Sequence, residues 1–213
     1  MNQRFTNLDG FPGEFMSAAF RIDSAHTAVL SMDCQVGIVS MYTKGDQAAF
    51  LARAAGVLQF ARASHITVMH VKVGFRPGLP EVSSKNQLFG AVKASPQHQR
   101  LFHEPLGSID PALGPEDEIV ITKHRVSAFT GTDLAMILRA NDLDTLVLFG
   151  ISTSGVVLST LLEACDADFR VVVIKDCCAD LDADLHSTLI EKLFPSRATV
   201  LSAADFLKLE LVE

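Results

Sequence analysis

The sequence lacks the features that mark membrane-spanning, secreted and nucleic-acid-binding proteins. No apolar run in the chain reaches the roughly 18 residues that a membrane-spanning helix needs. Asp9 and Glu14 interrupt the region where a signal peptide requires a continuous apolar stretch. The formal net charge is -7, and no cluster of lysine and arginine offers a surface for nucleic acid. We therefore expect a cytoplasmic protein that binds neither membrane nor nucleic acid.

Cysteine is scarce as well, with four residues in a chain of 213. Without a secretory signal these are expected to be reduced thiols, and one of them is a candidate nucleophile. The length suits one ordinary domain, which buries a large core without disulfides or a structural metal. Apolar residues make up 48% of the chain, which excludes an intrinsically disordered protein.

Residues 1–25 differ from the rest of the chain. They carry four phenylalanines amid Gly, Pro, Asn and Asp, with no regular period: Phe5, Phe11, Phe15 and Phe20. Because exposed phenylalanines are unfavourable, we interpret the segment as an extended arm that lies on this subunit or on a neighbour. A frayed terminus is the alternative. Residues 26–213 are predicted to form a single domain.

Strand and helix patterns alternate along residues 26–213. Short, nearly continuous apolar runs are typical of strands buried on both faces. Six such runs are predicted: His26–Asp33, Ile66–Val73, Glu118–Thr122, Asp144–Gly150, Phe169–Asp176 and Ala198–Leu201. Helical patterns follow Asp46 and Asp133, cover Ser154–Asp166 and Ala183–Leu193, and begin again at Ser202. The long segment Gly74–Glu116, rich in Pro, Gly and Ser, is the exception, and such long connections are often functional.

This alternation predicts an α/β fold with three layers. The expected architecture is doubly wound and Rossmann-like, with a mainly parallel six-stranded sheet in the order 3-2-1-4-5-6. Ligands of such sheets bind outside the carboxyl ends of the strands, near the switch point between strands 1 and 4.

Charged and small polar residues stand at these carboxyl ends. Asp33 ends the first predicted strand, Lys123 follows the third, and Gly150 ends the fourth, just before Ser152 and Thr153. The first and third strands lie about 10 Å apart, a gap that the Asp33 and Lys123 side chains nearly span. An Asp33–Lys123 pair is therefore expected in the site.

The motifs of several common sites are missing. D-C-Q-V-G after the first strand lacks the glycines of a dinucleotide fingerprint. Val156 and Val157 stand where a phosphate loop requires Lys and Ser or Thr. The histidines and cysteines show no metal-ligand spacing, and His70 within the second strand is typical of a core histidine. We expect neither a metal nor a cofactor.

Taken together, the three strand ends resemble the isochorismatase-like hydrolase superfamily. The resemblance covers about residues 27–206. It is carried by Asp33 with Gln35, by Lys123 in K-H-R-V-S-A-F, and by G-I-S-T-S-G-V-V from Gly150. It implies a small-molecule substrate and a homo-oligomer, either dimer or tetramer. It also implies a cis peptide bond after the strand-4 glycine, with neighbouring N–H groups forming an oxyanion hole.

The cysteine of this superfamily is missing from its expected place. The amidohydrolase branches use an Asp–Lys–Cys triad whose cysteine lies six residues after the strand-4 glycine, and here that position is Val156. The four cysteines all miss it: Cys34, Cys165, Cys177 and Cys178. K-H-R-V-S-A-F is more similar to the isochorismatase branch, in which this position is also non-nucleophilic.

The isochorismatase-type resemblance implies general acid catalysis. Asp33 would protonate the methylene carbon of a vinyl ether, and Lys123 would be its electrostatic partner. We expect cysteine-independent hydrolysis of a vinyl ether or a related C–O or C–N bond in a small anionic or carbonyl-bearing metabolite. The alternative is a catalytically silent member that binds a small molecule.

The residues predicted to bind the substrate lie close behind the strand ends. They are Gln35, Phe75, Arg76, Arg125, Phe129, Ser152, Thr153 and Val156. Some have alternative roles: Gln35 either orients Asp33 or ties down the loop, and Thr153 either meets substrate or caps the helix. Arg125 either clamps a carboxylate or forms a surface or interface ion pair. Pro77–Gly78 favours a structural role for Arg76.

Overall fold

The computed structural model describes residues 21–115 and 117–212. Most of the predicted arm, residues 1–20, lies outside the described residues. Its last part contains a short strand, Ile22–Asp23, which pairs in parallel with Leu211–Val212 near the end of the chain. Residues 21–25 are thereby joined to the domain by backbone hydrogen bonds.

Eight strands are present in the described residues. They are β1 (Ile22–Asp23), β2 (Thr27–Met32), β3 (Thr67–Val73), β4 (Ile119–Lys123), β5 (Thr145–Ile151), β6 (Arg170–Ala179), β7 (Thr199–Leu201) and β8 (Leu211–Val212). β1 and β8 form a sheet of two strands. The other six form one parallel sheet in the order β4-β3-β2-β5-β6-β7. This is the predicted order 3-2-1-4-5-6 in the numbering of the six predicted strands, and the predicted fold class is confirmed.

The α-helices flank this sheet. They are α1 (Val36–Tyr42), α2 (Gln47–Ala63), α3 (Gln87–Ala94), α4 (Pro96–Gln99), α5 (Leu134–Ala140), α6 (Leu158–Asp166), α7 (Ala183–Thr188) and α8 (Ala203–Phe206). Two π-helical turns, Thr153–Val157 and Leu189–Leu193, precede α6 and follow α7. Two 3-10 turns, Arg100–Phe102 and Phe194–Ser196, complete the helical elements of the described residues. None of these helices is long and apolar enough to cross a bilayer.

Burial across the sheet explains its composition. The central strands β2 and β5 are buried at every position, as their apolar runs predict. β4 is an edge strand, in which only Ile121 and Lys123 are buried. The lysine at its carboxyl end therefore lies inside the protein, although the strand itself is largely exposed.

Three helices were not predicted from the sequence. α1 follows β2 directly, and its N-cap residue Gln35 makes no capping hydrogen bond with its side chain. α3 and α4 lie within the long Gly74–Glu116 connection. Asn86 and Ser95 cap them, accepting hydrogen bonds from the backbone N–H groups of Phe89 and His98. Asn86 and the Ser95–Pro96 pair are the sequence signals that locate these two helices.

Candidate active site

A buried ion pair joins the ends of β2 and β4. Lys123 Nζ lies 2.7 Å from Asp33 Oδ2 and also donates a hydrogen bond of 3.1 Å to the Arg125 carbonyl oxygen. Asp33 has a left-handed backbone with a φ of 52°, and its N–H donates to the Val71 carbonyl oxygen. Only 6% of Asp33 and 2% of Lys123 is exposed. The two charges thus face each other across the end of β3, away from bulk water.

Burial and charge act in opposite directions on the Asp33 carboxyl group. Burial raises its pKa above the ordinary value, and the ammonium group of Lys123 opposes part of this rise. The net direction is upward. Asp33 Oδ1 is buried and has no hydrogen-bond partner among the described residues, whereas Oδ2 contacts Lys123. Oδ1 is therefore the oxygen available for a proton.

A cavity of about 220 Å³ opens beside this pair. α1, α3 and the 3-10 turn Arg100–Phe102 supply much of its wall. The side chains on the wall are mainly apolar: Ile38, Met41, Val73, Leu88, Phe89, Val92, Leu101, Phe102, Val126, Ile151 and Val156. Four of the predicted site residues line the cavity: Asp33, Lys123, Ser152 and Val156. The volume is below the ~300–1,000 Å³ of typical ligand pockets, which points to a small ligand.

The chain turns sharply between β5 and α6, beside the cavity. Gly150 has a φ of 143°, and the peptide bond between Ile151 and Ser152 is cis, as the resemblance implies. The π-helical turn Thr153–Val157 then leads into α6. It places Val156 against the cavity with 2% of its surface exposed.

None of the four cysteines, all in the described part of the chain, lines the cavity. Cys34 and Cys178 are buried, and burial raises the pKa of each thiol to about 12. Burial also raises the pKa of Cys177. Cys165 is partly buried on α6, and its thiol lies 3.5 Å from the Arg197 carbonyl oxygen. Since the thiolate is the nucleophilic form, these environments do not activate the thiols.

Gln35 lies behind the cavity and ties two segments together. Its amide nitrogen donates to the carbonyl oxygens of Val73 and Gly107 at 3.0 and 2.9 Å. Its amide oxygen accepts a hydrogen bond of 2.8 Å from the Val73 N–H group. These hydrogen bonds correspond to the predicted role of Gln35 in tying down the loop, and not to direct contact with substrate.

Replacing Gln35 with leucine is expected to lower the free energy of unfolding by about 2–3 kcal/mol, because it leaves buried backbone groups of Val73 and Gly107 without partners. Chemical denaturation measures the change. The control is Gln47→Leu at an exposed position, which should cost under about 0.5 kcal/mol. Equal stability of the two variants would contradict the role assigned to Gln35.

The two predicted arginines lie outside the cavity, where other groups hold them. Arg76 forms a 2.6 Å ion pair with the Glu81 carboxylate. Arg125 donates to the carbonyl oxygens of His124 and Glu81 at 2.6 and 2.9 Å. The ion pair of Arg76 agrees with the structural role that Pro77–Gly78 favours over substrate binding. The Arg125 side chain donates hydrogen bonds only to backbone oxygens in the described part of the chain.

The two predicted phenylalanines also lie outside the cavity. Phe75 packs edge-on against Phe89 and Phe102, two residues that do line it, so it supports the wall from behind. Phe129 is buried and stacks at a tilt on Phe169. Their predicted contact with substrate stays a prediction.

Thr153 is fully buried beside the cavity residue Ser152 but does not line the cavity. Its hydroxyl group is hydrogen-bonded to His186 Nδ1 at 2.8 Å. Burial lowers the pKa of His186, while Asp180 opposes the shift. Asp180 in turn accepts a hydrogen bond from the Ser154 N–H group, so these residues fix the turn.

Sequence reasoning missed the lining residues of α1 and α3. Tyr42 is the single tyrosine of the chain and lines the cavity together with Ser152. Burial raises the pKa of Tyr42, Asp180 raises it further, and the Ser152 hydroxyl opposes the change. In the sequence, the only sign that Tyr42 belongs to the cavity was that it is the single tyrosine.

The fold and the candidate site place the chain among α/β proteins that have a parallel sheet with an Asp–Lys pair at its carboxyl edge. Comparison with known proteins identifies the family. A family model described as the isochorismatase domain matches residues 27–205. The chain belongs to the isochorismatase family, a family of hydrolases.

Individual relatives agree with this assignment. The chain is 32% identical over 167 residues to a maleamate amidohydrolase from Pseudomonas putida, covering 75% of each chain. An isochorismatase family protein from Burkholderia thailandensis is 28% identical, with a TM-score of 0.74 over 87% of this chain and 95% of that one. A cysteine hydrolase from Pseudomonas syringae pv. phaseolicola shares the fold, with a TM-score of 0.78, 23% identity and coverage of 89% and 94%.

Proposed function

We propose that this protein hydrolyses a small metabolite with Asp33 as the acid and Lys123 as its electrostatic partner, without a cysteine nucleophile. The bond cleaved is a vinyl ether or a related C–O or C–N bond. The observation that carries the proposal is the buried Asp33–Lys123 pair, which lines a small cavity and in which Asp33 Oδ1 has no hydrogen-bond partner among the described residues. The similarity to a maleamate amidohydrolase supports hydrolysis of a small molecule.

The pair has the properties that a general acid requires. Burial raises the pKa of Asp33, which favours the protonated carboxyl group at the start of the reaction. When Asp33 gives its proton to a vinyl ether, the methylene carbon gains a hydrogen and an oxocarbenium ion forms. The carboxylate left behind is then stabilised by Lys123 at 2.7 Å.

Water completes the reaction. It adds to the oxocarbenium carbon, and the hemiketal formed breaks its C–O bond to release a carbonyl product and an alcohol. A proton returns to Asp33 in the process. With an ester or amide, water would add to the carbonyl carbon, the same acid would protonate the leaving oxygen or nitrogen as its bond to that carbon breaks, and the proton released by the water would return to Asp33. Val156, which lines the cavity, stands where the resemblance places the cysteine of the amidohydrolase branches, and a valine side chain has no nucleophilic atom that could form a covalent acyl-enzyme.

Replacing Asp33 with asparagine is expected to lower kcat/KM by at least about 100-fold, because asparagine keeps the size of the side chain but has no acidic proton. Turnover is measured on a panel of vinyl ethers, esters and amides. In the unmodified protein kcat/KM should decrease as the pH rises through the pKa of Asp33, since only the protonated acid reacts. The residual activity of Asp33→Asn should lack this decrease.

The matched control is Asp168→Asn. Asp168 also has a left-handed backbone, with a φ of 64°, but it is exposed and lies outside the cavity. Its replacement should leave kcat/KM unchanged. Equal turnover by Asp33→Asn and the unmodified protein would reject Asp33 as the acid.

The second candidate is a catalytically silent protein that binds a small molecule in the same cavity. The buried valine at position 156, where the amidohydrolase branches place a thiol, favours it. Binding of a ligand with no turnover on the whole panel would establish this alternative. Turnover that is lost in both Asp33→Asn and Lys123→Met would exclude it.

A further inference from the structure

The charges around the cavity restrict what enters it. Among the described residues, only Asp33 and Lys123 carry charged side chains on the cavity wall, and they form an ion pair of 2.7 Å with each other. The other side chains there with a polar group are Tyr42 and Ser152, both neutral hydroxyls. The described wall therefore offers no cation that is free to neutralise a substrate carboxylate.

Lys123 is poorly placed to serve as that cation. Two of the three hydrogens of its ammonium group are used by Asp33 Oδ2 and the Arg125 carbonyl oxygen. A carboxylate that took the third would share this ammonium group with Asp33 Oδ2. It would exchange its hydration for one hydrogen bond in a buried, mainly apolar site, which is unfavourable.

Three basic residues of the 76–125 segment, Arg76, Lys93 and Arg125, are held by other groups. Arg76 pairs with Glu81, and Arg125 donates to two backbone carbonyl oxygens. Lys93 Nζ donates to the carbonyl oxygens of Leu79 and Val82 at 2.9 and 3.1 Å. Recruiting any of them to a substrate would break these contacts.

The walls, by contrast, suit an apolar ligand. Leu88, Phe89 and Val92 on α3 face the cavity along with Leu101 and Phe102. Leu88 is 59% exposed although it lines the cavity, so apolar surface continues to the mouth. A ligand that covers this surface gains from its removal from water.

We propose that the substrate is electrically neutral and has an apolar body, with its hydrolysable bond at the end next to Asp33. This proposal rests on the proposed hydrolytic function of the same site. It differs from the expectation of a carboxylate clamp at Arg125. The neutral end of such a substrate is met by the Asp33–Lys123 pair and the two hydroxyl groups.

Two probes of the same shape test the charge preference. Succinamate has a carboxylate opposite its amide, and 4-methylpentanamide has two methyl groups in place of the carboxylate oxygens. Their affinities for the full chain at neutral pH are measured by isothermal titration calorimetry or ligand-observed NMR. We expect 4-methylpentanamide to bind at least about tenfold more tightly. Equal or tighter binding of succinamate, or binding of neither probe, would overturn the proposal.

Leu88 provides a variant that tests the cause. Because it is largely exposed, Leu88→Arg brings a cation to the mouth with little risk to folding. Leu88→Arg should raise the affinity for succinamate and so reduce the ratio of the two probes' affinities. Leu88→Gln, which is polar but uncharged, should leave the affinity for succinamate low. An unchanged ratio in Leu88→Arg would show that charge does not set the preference.

The two proposals fail in different ways. If the neutral probe binds preferentially but no panel substrate is turned over, the hydrolytic function fails and the charge preference stands. If Asp33-dependent turnover is found while succinamate binds as well as its neutral counterpart, the hydrolytic function stands and the substrate class proposed here is wrong.

Discussion

Replacing Lys123 with methionine is expected to lower the free energy of unfolding by about 3–5 kcal/mol at neutral pH. Methionine keeps most of the length of the side chain but removes the ammonium group 2.7 Å from Asp33 Oδ2. The Asp33 carboxylate is then buried without a counter-ion. Urea denaturation followed by circular dichroism measures the change, since the chain has no tryptophan for fluorescence.

The loss should depend on pH. Without Lys123, the main influence that opposes burial is gone, so the pKa of the Asp33 carboxyl rises further in the folded state. The folded protein then holds a proton that the unfolded chain, with a pKa of about 3.9, releases. By linkage the free energy of unfolding of Lys123→Met falls as the pH rises from that value through the folded pKa. The variant should therefore be least impaired in acid.

A double variant separates charge from packing. Asp33→Asn added to Lys123→Met removes the unpaired carboxylate, and asparagine tolerates the left-handed backbone of this position. The double variant should be more stable than Lys123→Met alone at neutral pH. Lys44→Met at an exposed position serves as the control and should cost under about 0.5 kcal/mol. If the double variant were no more stable than Lys123→Met, the loss would come from packing.

Replacing Gly150 with alanine is expected to cost more than about 4 kcal/mol or to prevent folding. A Cβ at this position would clash with the carbonyl oxygen of Met32, which is a backbone atom of the neighbouring strand. The φ of 143° is also a conformation that residues with a side chain rarely adopt. To remove this clash, β2 and β5 would have to separate at the carboxyl end of β2, next to Asp33.

Gly56→Ala is the matched control, and we expect it to change the free energy of unfolding in the opposite direction. Gly56 lies within α2, and among the described residues a Cβ there would meet no atom within 4 Å apart from its chain neighbours and the helix's own backbone. Since glycine is unfavourable inside a helix, this variant should gain roughly 0.5–1 kcal/mol. Thermal and urea unfolding of both variants measure the difference. A Gly150→Ala protein as stable as the unmodified one would contradict the close approach of the two strands.

The pattern of apolar runs was enough to predict the six-stranded sheet and its order. The reason is that strands buried on both faces have to be almost wholly apolar, as β2 and β5 are. The same pattern could not find α1, whose seven residues follow β2 directly and whose N-terminus has no capping side chain. α3 and α4 were hidden in a long connection whose caps were not recognised.

The candidate site was predicted in part. Asp33, Lys123, Ser152 and Val156 line one cavity because they follow strands whose order the sequence predicted. Arg76, Arg125, Phe75 and Phe129 follow the same strand ends, yet they lie elsewhere. Position along a strand determines which edge of the sheet a residue occupies, but a side chain's direction depends on its competing partners, such as Glu81 for Arg76.

The sequence by itself determined the parallel α/β fold, the carboxyl edge that carries the candidate site, and the presence of valine rather than a thiol at position 156. Only the tertiary structure decided the character of the cavity. Much of its apolar wall comes from α1, α3 and the turn at Arg100–Phe102, which precede β4 and β5 in the chain. Packing also buries the edge-strand lysine against Asp33 and holds both predicted arginines outside the cavity. Such contacts join residues distant in sequence, and no local pattern encodes them.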